Sequence, residues 1–181
     1  DSSVTGVQTC ALPIFGSKVM IPGTGVILNN QMDDFSAQAG VTNVFGLVGS
    51  DANAIAPGKR PLSSMSPTIV LRDGVPILTV GAAGGPTIIS QTLLAILYVI
   101  DFGMDPKRAL SQPRFHHQWK PDRLRIERGV GPEVLEALKN RGHELEVVSE
   151  MGAAQAVGRS APGAAFVGAA DPRSEGSAGS F

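Results

Sequence analysis

The chain has 181 residues, a formal net charge of −1, 43% hydrophobic and 17% charged residues, and a single cysteine. That length is enough for one substantial core, one cysteine excludes a disulfide scaffold, and the near-neutral balance offers no basic face to neutralise phosphates, which sets nucleic acid aside as a partner. Twenty-two glycines and 13 prolines make the chain turn-rich, yet below the roughly 25–30% at which low complexity becomes the expectation.

The first segment stands apart. Val4 to Ile14 reads Val-Thr-Gly-Val-Gln-Thr-Cys-Ala-Leu-Pro-Ile and resembles the conceptual translation of a common sequencing-library adapter. Residues 1–14 are therefore expected to be an assembly artefact, kept out of fold reasoning as a fusion scar would be, and residues 15–181 to be the domain itself. Cys10 lies in that segment and carries no message about redox compartment. The segment shows no basic start, apolar run and small-residue cleavage site, so no export signal is read here.

From Phe15 onward, Pro22-Gly23 and Gly25 introduce Val26-Ile27-Leu28, which reads as a short strand delivering the polar residues Asn29 to Ser36 at its C-terminal end. Ala37 to Pro61 lacks periodicity and reads as an irregular loop with one short turn of helix. Thr68 to Arg72 and Val75 to Val80 flank Asp73-Gly74, the pattern of two strands around a tight hairpin turn. Gly81-Ala-Ala-Gly-Gly85 ends the second strand, with Pro86 suited to the first turn of a helix that carries Ile88, Leu93, Leu94, Ile96, Leu97 and Val99. That helix is apolar nearly all round and is expected between layers. The stretch Ile88 to Ile100 is interrupted by Ser90, Gln91 and Thr92 and falls short of the about 20 apolar residues a membrane span needs. Further expected elements are a short helix from Asp105-Pro106 to Leu110, a strand at Leu124–Ile126, an amphipathic helix from Pro132 to Asn140, and strands at Glu144–Val148 and Ala164–Val167. Ser174 to Ser180 reads as a frayed tail. Strands in hairpin order beside helices point to an α+β fold.

Local patterns alone leave the chemistry open. Asp33 and Asp34 gather carboxylates and amides at a strand end, where they suit an ammonium group or a metal, though capping of loop backbone is the reading that local evidence favours; for a metal, the segment lacks the acid spacing and closing glutamate of an EF-hand. Ser63 and Ser64 offer hydroxyls to a carboxylate or form a polar turn, and no Gly-x-Ser-x-Gly elbow accompanies them. The Gly81–Gly85 turn before a helix leaves backbone N–H groups for an anion or oxyanion, or is simply a tight connection; it matches neither a dinucleotide fingerprint nor a P-loop. His116 and His117 beside Trp119 have no Cys or third His near them in sequence and read as structural or surface residues.

Taken in order, Pro22 to Ser36, Lys59-Arg-Pro-Leu-Ser-Ser-Met-Ser-Pro-Thr68, the Gly81–Gly85 turn, Pro113-Arg-Phe-His-His-Gln-Trp119 and Asp171-Pro-Arg173 resemble the small-subunit part of the γ-glutamyltranspeptidase family, from Phe15 to Phe181. The resemblance implies an N-terminal-nucleophile hydrolase with a four-layer αββα sandwich, of which this chain supplies the small-subunit part. It implies cleavage of γ-glutamyl amides such as glutathione through a γ-glutamyl-threonine acyl-enzyme, with transfer to water, amino acids or peptides, and neither cofactor nor metal. By position, Gln31 and Asp34 would hold the α-ammonium, Ser63 and Ser64 the α-carboxylate, and the N–H groups of Gly84 and Gly85 the oxyanion. The partner implied is a large subunit cut from the same precursor, in a periplasmic or secreted setting.

The nucleophilic threonine is expected upstream of Phe15, and neither Thr5 nor Thr9 fits its flanking pattern. The chain alone is accordingly expected to be inactive and to expose apolar surface. The alternatives are a cephalosporin-acylase-like or poly-γ-glutamate-processing hydrolase of the same superfamily, and a non-catalytic domain that binds glutamate.

Overall fold

The computed structural model describes residues 16–159 and 161–179. The adapter-like segment, with Thr5, Thr9 and Cys10, lies outside the described residues. The chain divides into two compact units, Asp1–Ser63 and Ser64–Phe181.

In the second unit the hairpin forms as its sequence requires. Strand β1 (Thr68–Arg72) pairs antiparallel with β2 (Val75–Ala83), and Asp73 and Gly74 take φ of 51° and 77°, the left-handed pair that matches strand twist. A register shift between Val70 and Leu71 marks a bulge. The other side of β2 pairs antiparallel with β6 (Ala153–Gly158), and β7 (Val167–Ala170) pairs antiparallel with β6, giving the order β1-β2-β6-β7. Side chains alternate across a sheet, so Leu78, Val80, Ala154, Ala156 and Ala169 share the face that forms the core with Ala95 and Leu110 from the helices. Those two residues belong to α1 (Thr87–Ile100) and α2 (Pro106–Ser111). Asp105 caps α2 by accepting from the Arg108 N–H at 3.0 Å, with Pro106 in the first turn, as the Asp-Pro pair predicts.

A second sheet has the order β3-β4-β5. Its strands are Phe115–His116, Leu124–Glu127 and Leu145–Val148. The parallel β4–β5 pair is joined through α3 (Pro132–Asn140), the crossover that parallel strands need. Mixed helices and sheets establish the α+β class.

Four expectations are corrected. Val26–Leu28 is not a strand but one arm of a loose hairpin, with Leu28 N–H donating to Val19 O at 2.8 Å and a single bridge between Met20 and Ile27; Val26 and Leu28 stay 52% and 41% exposed, so no burial extends the pairing. The strand expected at Ala164–Val167 starts later, at Val167, because the Pro162-Gly163 turn takes up Ala164, whose N–H donates to Ala161 O. Pro86 is the N-cap residue of α1 rather than part of its first turn. And α1 is covered on one side only: Ile88, Gln91, Thr92, Leu94 and Ala95 are buried, whereas Ile89 and Leu93 are each 54% exposed. The described second unit offers α1 one sheet face, and a helix that is apolar all round then shows its remaining side to solvent.

The first unit is irregular from Ala37 to Pro61, as expected, with 3₁₀ turns at Gln31–Asp34 and Asp51–Asn53. A parallel bridge between Ser36 and Ala54 draws the two turns together.

Candidate functional site

Gln31 and Asp34 stand at the two ends of the first 3₁₀ turn. The Asn29 side chain accepts from the Gln31 N–H at 3.0 Å and starts the turn, an Asx arrangement that competes with regular helix. Buried Phe35 anchors its end. Gln31 is exposed and Asp34 half-buried. Partial burial and then the neighbouring Asp33 charge push the Asp34 carboxyl above its ordinary range, since both disfavour its charged form.

The backbone around Asp34 is pinned by amide side chains that sequence reasoning did not nominate. Asp34 O accepts from Asn53 Nδ2 at 2.8 Å and Asn43 Nδ2 at 3.4 Å. Asn53 Oδ1 in turn accepts from the Leu62 N–H at 2.9 Å, so one side chain ties the Asp34 segment to the residue before Ser63. Lys59 Nζ reaches the carbonyls of Asp51, Ala52 and Ala54 at 3.2, 3.3 and 3.2 Å, holding the segment that leads to Ser63 against the second 3₁₀ turn. Ser63 closes the first unit and Ser64 opens the second. Ser64 O accepts from Ser66 Oγ at 3.1 Å.

Gly84 and Gly85 follow directly on β2, with φ of 135° and 58°, a pair of conformations that glycine alone adopts freely. A Cβ on Gly84 would lie 2.7 Å from Thr87 Oγ1 and 3.1 Å from Gly152 Cα. Gly84 O accepts from Thr87 Oγ1 at 2.8 Å and from the Thr87 N–H at 3.3 Å. The N–H groups of Gly84 and Gly85 donate to no acceptor among the described residues, and they sit at the positive end of α1. Gln91, only 2% exposed, donates from Nε2 to Ala83 O at 3.1 Å and to Thr87 Oγ1 at 2.9 Å, while its Oε1 accepts from Arg114 Nη1 at 3.1 Å.

Arg114 leads into a buried cluster of four charges that joins two of the motifs read from the sequence. It pairs with Asp171; Arg173 pairs with Glu127 at 2.6 Å and with Asp171 at 3.2 Å. Glu127 also accepts from the N–H groups of Arg114 and Met151 at 2.9 and 2.7 Å, and Asp171 from that of Ala154 at 2.6 Å. Burial pushes the Asp171 carboxyl up, but the N–H groups of Arg173 and Ala154 and the Arg114 guanidinium outweigh it and hold the group below its usual range. Burial lowers the Arg114 pKa despite its partner. The two histidines read as structural or surface residues go to separate partners: His116 Nδ1 lies 2.7 Å from Ser90 Oγ and its Nε2 3.0 Å from Gln118 Oε1, while His117 Nε2 meets Asp122 at 3.1 Å. Burial first, then the Arg125 and His117 charges, lower the His116 pKa against the pull of its Gln118 hydrogen bond. No group of three or more His, Cys, Asp or Glu suited to a metal occurs among the described residues, and none of their helices is long and apolar enough to cross a membrane.

Comparison with known proteins gives the family and the fold of the chain. The sequence profile described as Gamma-glutamyltranspeptidase matches residues 1–181. The chain belongs to the γ-glutamyltranspeptidase family. It is 46% identical over 174 residues to the glutathione hydrolase proenzyme of Escherichia coli, covering 96% of this chain and 30% of that protein. It therefore spans under a third of the length of this γ-glutamyltranspeptidase relative. A Helicobacter pylori γ-glutamyltranspeptidase structure superposes with a TM-score of 0.82 at 47% identity, covering 88% of each chain. A cephalosporin acylase from Bacillus halodurans superposes less closely, with a TM-score of 0.72 at 28% identity over 87% of this chain and 28% of that one. The fold of the γ-glutamyltranspeptidase structures is thus shared here.

Proposed function

We propose that this chain carries the glutamyl-recognition groups and the oxyanion donors of a γ-glutamyltransferase and glutathione hydrolase. The observation that carries the reading is the Gly84–Gly85 turn, whose two N–H groups have no acceptor among the described residues of a chain from this family. Gln31 and Asp34 take the substrate's α-ammonium, and a cation there relieves the raised Asp34 carboxyl. Ser63 and Ser64 donate hydroxyl hydrogen bonds to the α-carboxylate. A threonine from elsewhere in the whole protein attacks the γ-amide carbon, its own α-amino group taking the hydroxyl proton. The carbonyl oxygen becomes an oxyanion that the N–H groups of Gly84 and Gly85 stabilise, and the amine leaves with a proton. Water or an amino acid or peptide then takes the acyl group. A large subunit from the same precursor completes the site, and the setting is periplasmic or secreted.

Recognition of both α-groups makes a γ-amide the substrate, because an α-linked glutamyl residue has no free α-carboxylate to offer. The greater likeness to the γ-glutamyltranspeptidase structure than to the cephalosporin acylase supports an amino-acid acyl group over a simple dicarboxylic one. The full reading frame around this segment, recovered by sequencing upstream of the Phe15 codon, is expressed and assayed with γ-glutamyl and glutaryl anilides. Turnover should favour the γ-glutamyl compound. A preference for the glutaryl compound assigns the protein to the acylases instead.

A further inference from the structure

A trans peptide unit is planar and stiff, with its C=O and N–H pointing in opposite directions. Whatever holds the carbonyl therefore aims the N–H across the same bond. The Gly84 N–H shares its peptide unit with Ala83 C=O, which Gln91 Nε2 holds at 3.1 Å. The Gly85 N–H shares its unit with Gly84 C=O, which Thr87 Oγ1 holds at 2.8 Å. These two clamps are one device, because Gln91 Nε2 also donates to Thr87 Oγ1 at 2.9 Å. The Gln91 amide is itself oriented: Arg114 Nη1 donates to its Oε1 at 3.1 Å, which leaves the NH₂ end for the turn. Arg114 is buried and fixed by Asp171 and by Met151 O at 2.9 Å, so the chain of contacts ends on a rigid base.

The turn needs such a device. Two successive glycines at φ of 135° and 58° have little conformational preference of their own, and an oxyanion site works only where its donors are set before the charge develops. Hydrogen bonds on the two carbonyls also polarise the N–H groups of the same units. We propose that Gln91, acting with Thr87, is a positioning residue that aims the N–H groups of Gly84 and Gly85 at one developing oxyanion; this rests on the reading of the turn as the oxyanion site. Gln91 touches no substrate. Its influence passes through two peptide planes and should be felt where negative charge gathers on the carbonyl oxygen, not where the glutamyl group is first bound.

The test uses the full-length protein and three variants. Gln91→Glu keeps the volume and the Arg114 contact but replaces the donor facing Ala83 O by an acceptor. Gln91→Met removes the donor without adding charge, and Thr87→Val removes the hydroxyl at constant shape. The readouts are kcat and KM with a γ-glutamyl anilide, and the inhibition constant of a boronic acid analogue of the γ-glutamyl group, whose tetrahedral adduct places an oxygen at the oxyanion position.

Loss of a whole oxyanion donor lowers kcat by about 10²–10³, so a misaimed pair should cost about tenfold or more in kcat. KM should change by less than about twofold, and boronate affinity should weaken by about the same factor as kcat, as expected for a group acting on the transition state. A smaller folded fraction lowers kcat but leaves the boronate constant untouched. Unchanged boronate affinity therefore overturns the proposal, as does failure of all three variants to yield soluble protein, which makes the role one of packing. A wild-type protein without γ-glutamyl turnover overturns the functional reading and this inference together; an active wild type with unaltered boronate binding in the variants overturns the inference alone.

Discussion

In the role proposed for it, as partner of the substrate's α-ammonium, Asp34 is sensitive to pH. Burial first and then the Asp33 charge raise its pKa, so protonation on acidification starts earlier than for an ordinary carboxylate and, on the proposed reading, removes the partner of the substrate ammonium. The value of kcat/KM for γ-glutamyl substrates should fall along an acidic limb as pH drops through that raised value. Asp33→Asn removes the like charge but leaves the burial, and should move the limb to lower pH. A glutaryl substrate, which has no ammonium, should lack the limb. An unmoved limb in Asp33→Asn would show that Asp33 does not tune its neighbour. The juxtaposition of Asp33 and Asp34 was legible in the sequence because adjacency needs no fold. Gln91 was not: it sits in an apolar helix, and its acceptors include a backbone carbonyl eight positions away, which no residue pattern encodes.

Elements with strong local chemistry were readable. Asp73-Gly74 requires the left-handed pair that closes the β1–β2 hairpin, and Asp105-Pro106 opens α2 with a side-chain cap. Strand β6, Ala-Ala-Gln-Ala-Val-Gly, escaped notice because its residues have weak strand preference; pairing with β2 puts it there. In the first unit the missed element is a side chain, Asn53, which stands in for regular structure by donating to Asp34 O and accepting from Leu62 N–H. Asn53→Ala should leave both backbone groups without that partner and cost about 1–3 kcal/mol, with net hydrogen bonds worth about 0.5–1.5 kcal/mol each. Because it links the segments of Asp34 and Ser63, the variant should also raise KM for γ-glutamyl substrate more than it lowers kcat. Steady-state kinetics beside denaturant unfolding separates the two effects; equal KM in a destabilised protein would reduce Asn53 to a stabilising tie.

At the scale of the molecule, the sheet of the second unit buries one face and leaves Ile69 and Val157 on the other, 66% and 42% exposed. Ile89 and Leu93 are open on α1 as well, so apolar side chains are exposed on both the helix and the four-stranded sheet. The four-charge cluster ties together residues in or beside β3, β4, β6 and β7. Removing one partner of a buried pair costs about 3–5 kcal/mol, because the remaining charge stays desolvated. Asp171→Asn should impose a loss of that order at neutral pH, since Arg114 keeps its guanidinium buried. The pH dependence follows from the sign of the shift: the Asp171 carboxyl is held below its ordinary range, so its contribution is present above the unfolded value and disappears as pH falls through the lower folded one. Acid unfolding followed by circular dichroism should therefore separate wild type and variant most at neutral pH and bring them together in strong acid. A variant as stable as wild type at neutral pH would mean that the acceptors Leu110 O, Met151 O and Gln91 Oε1 suffice for Arg114 without its carboxylate.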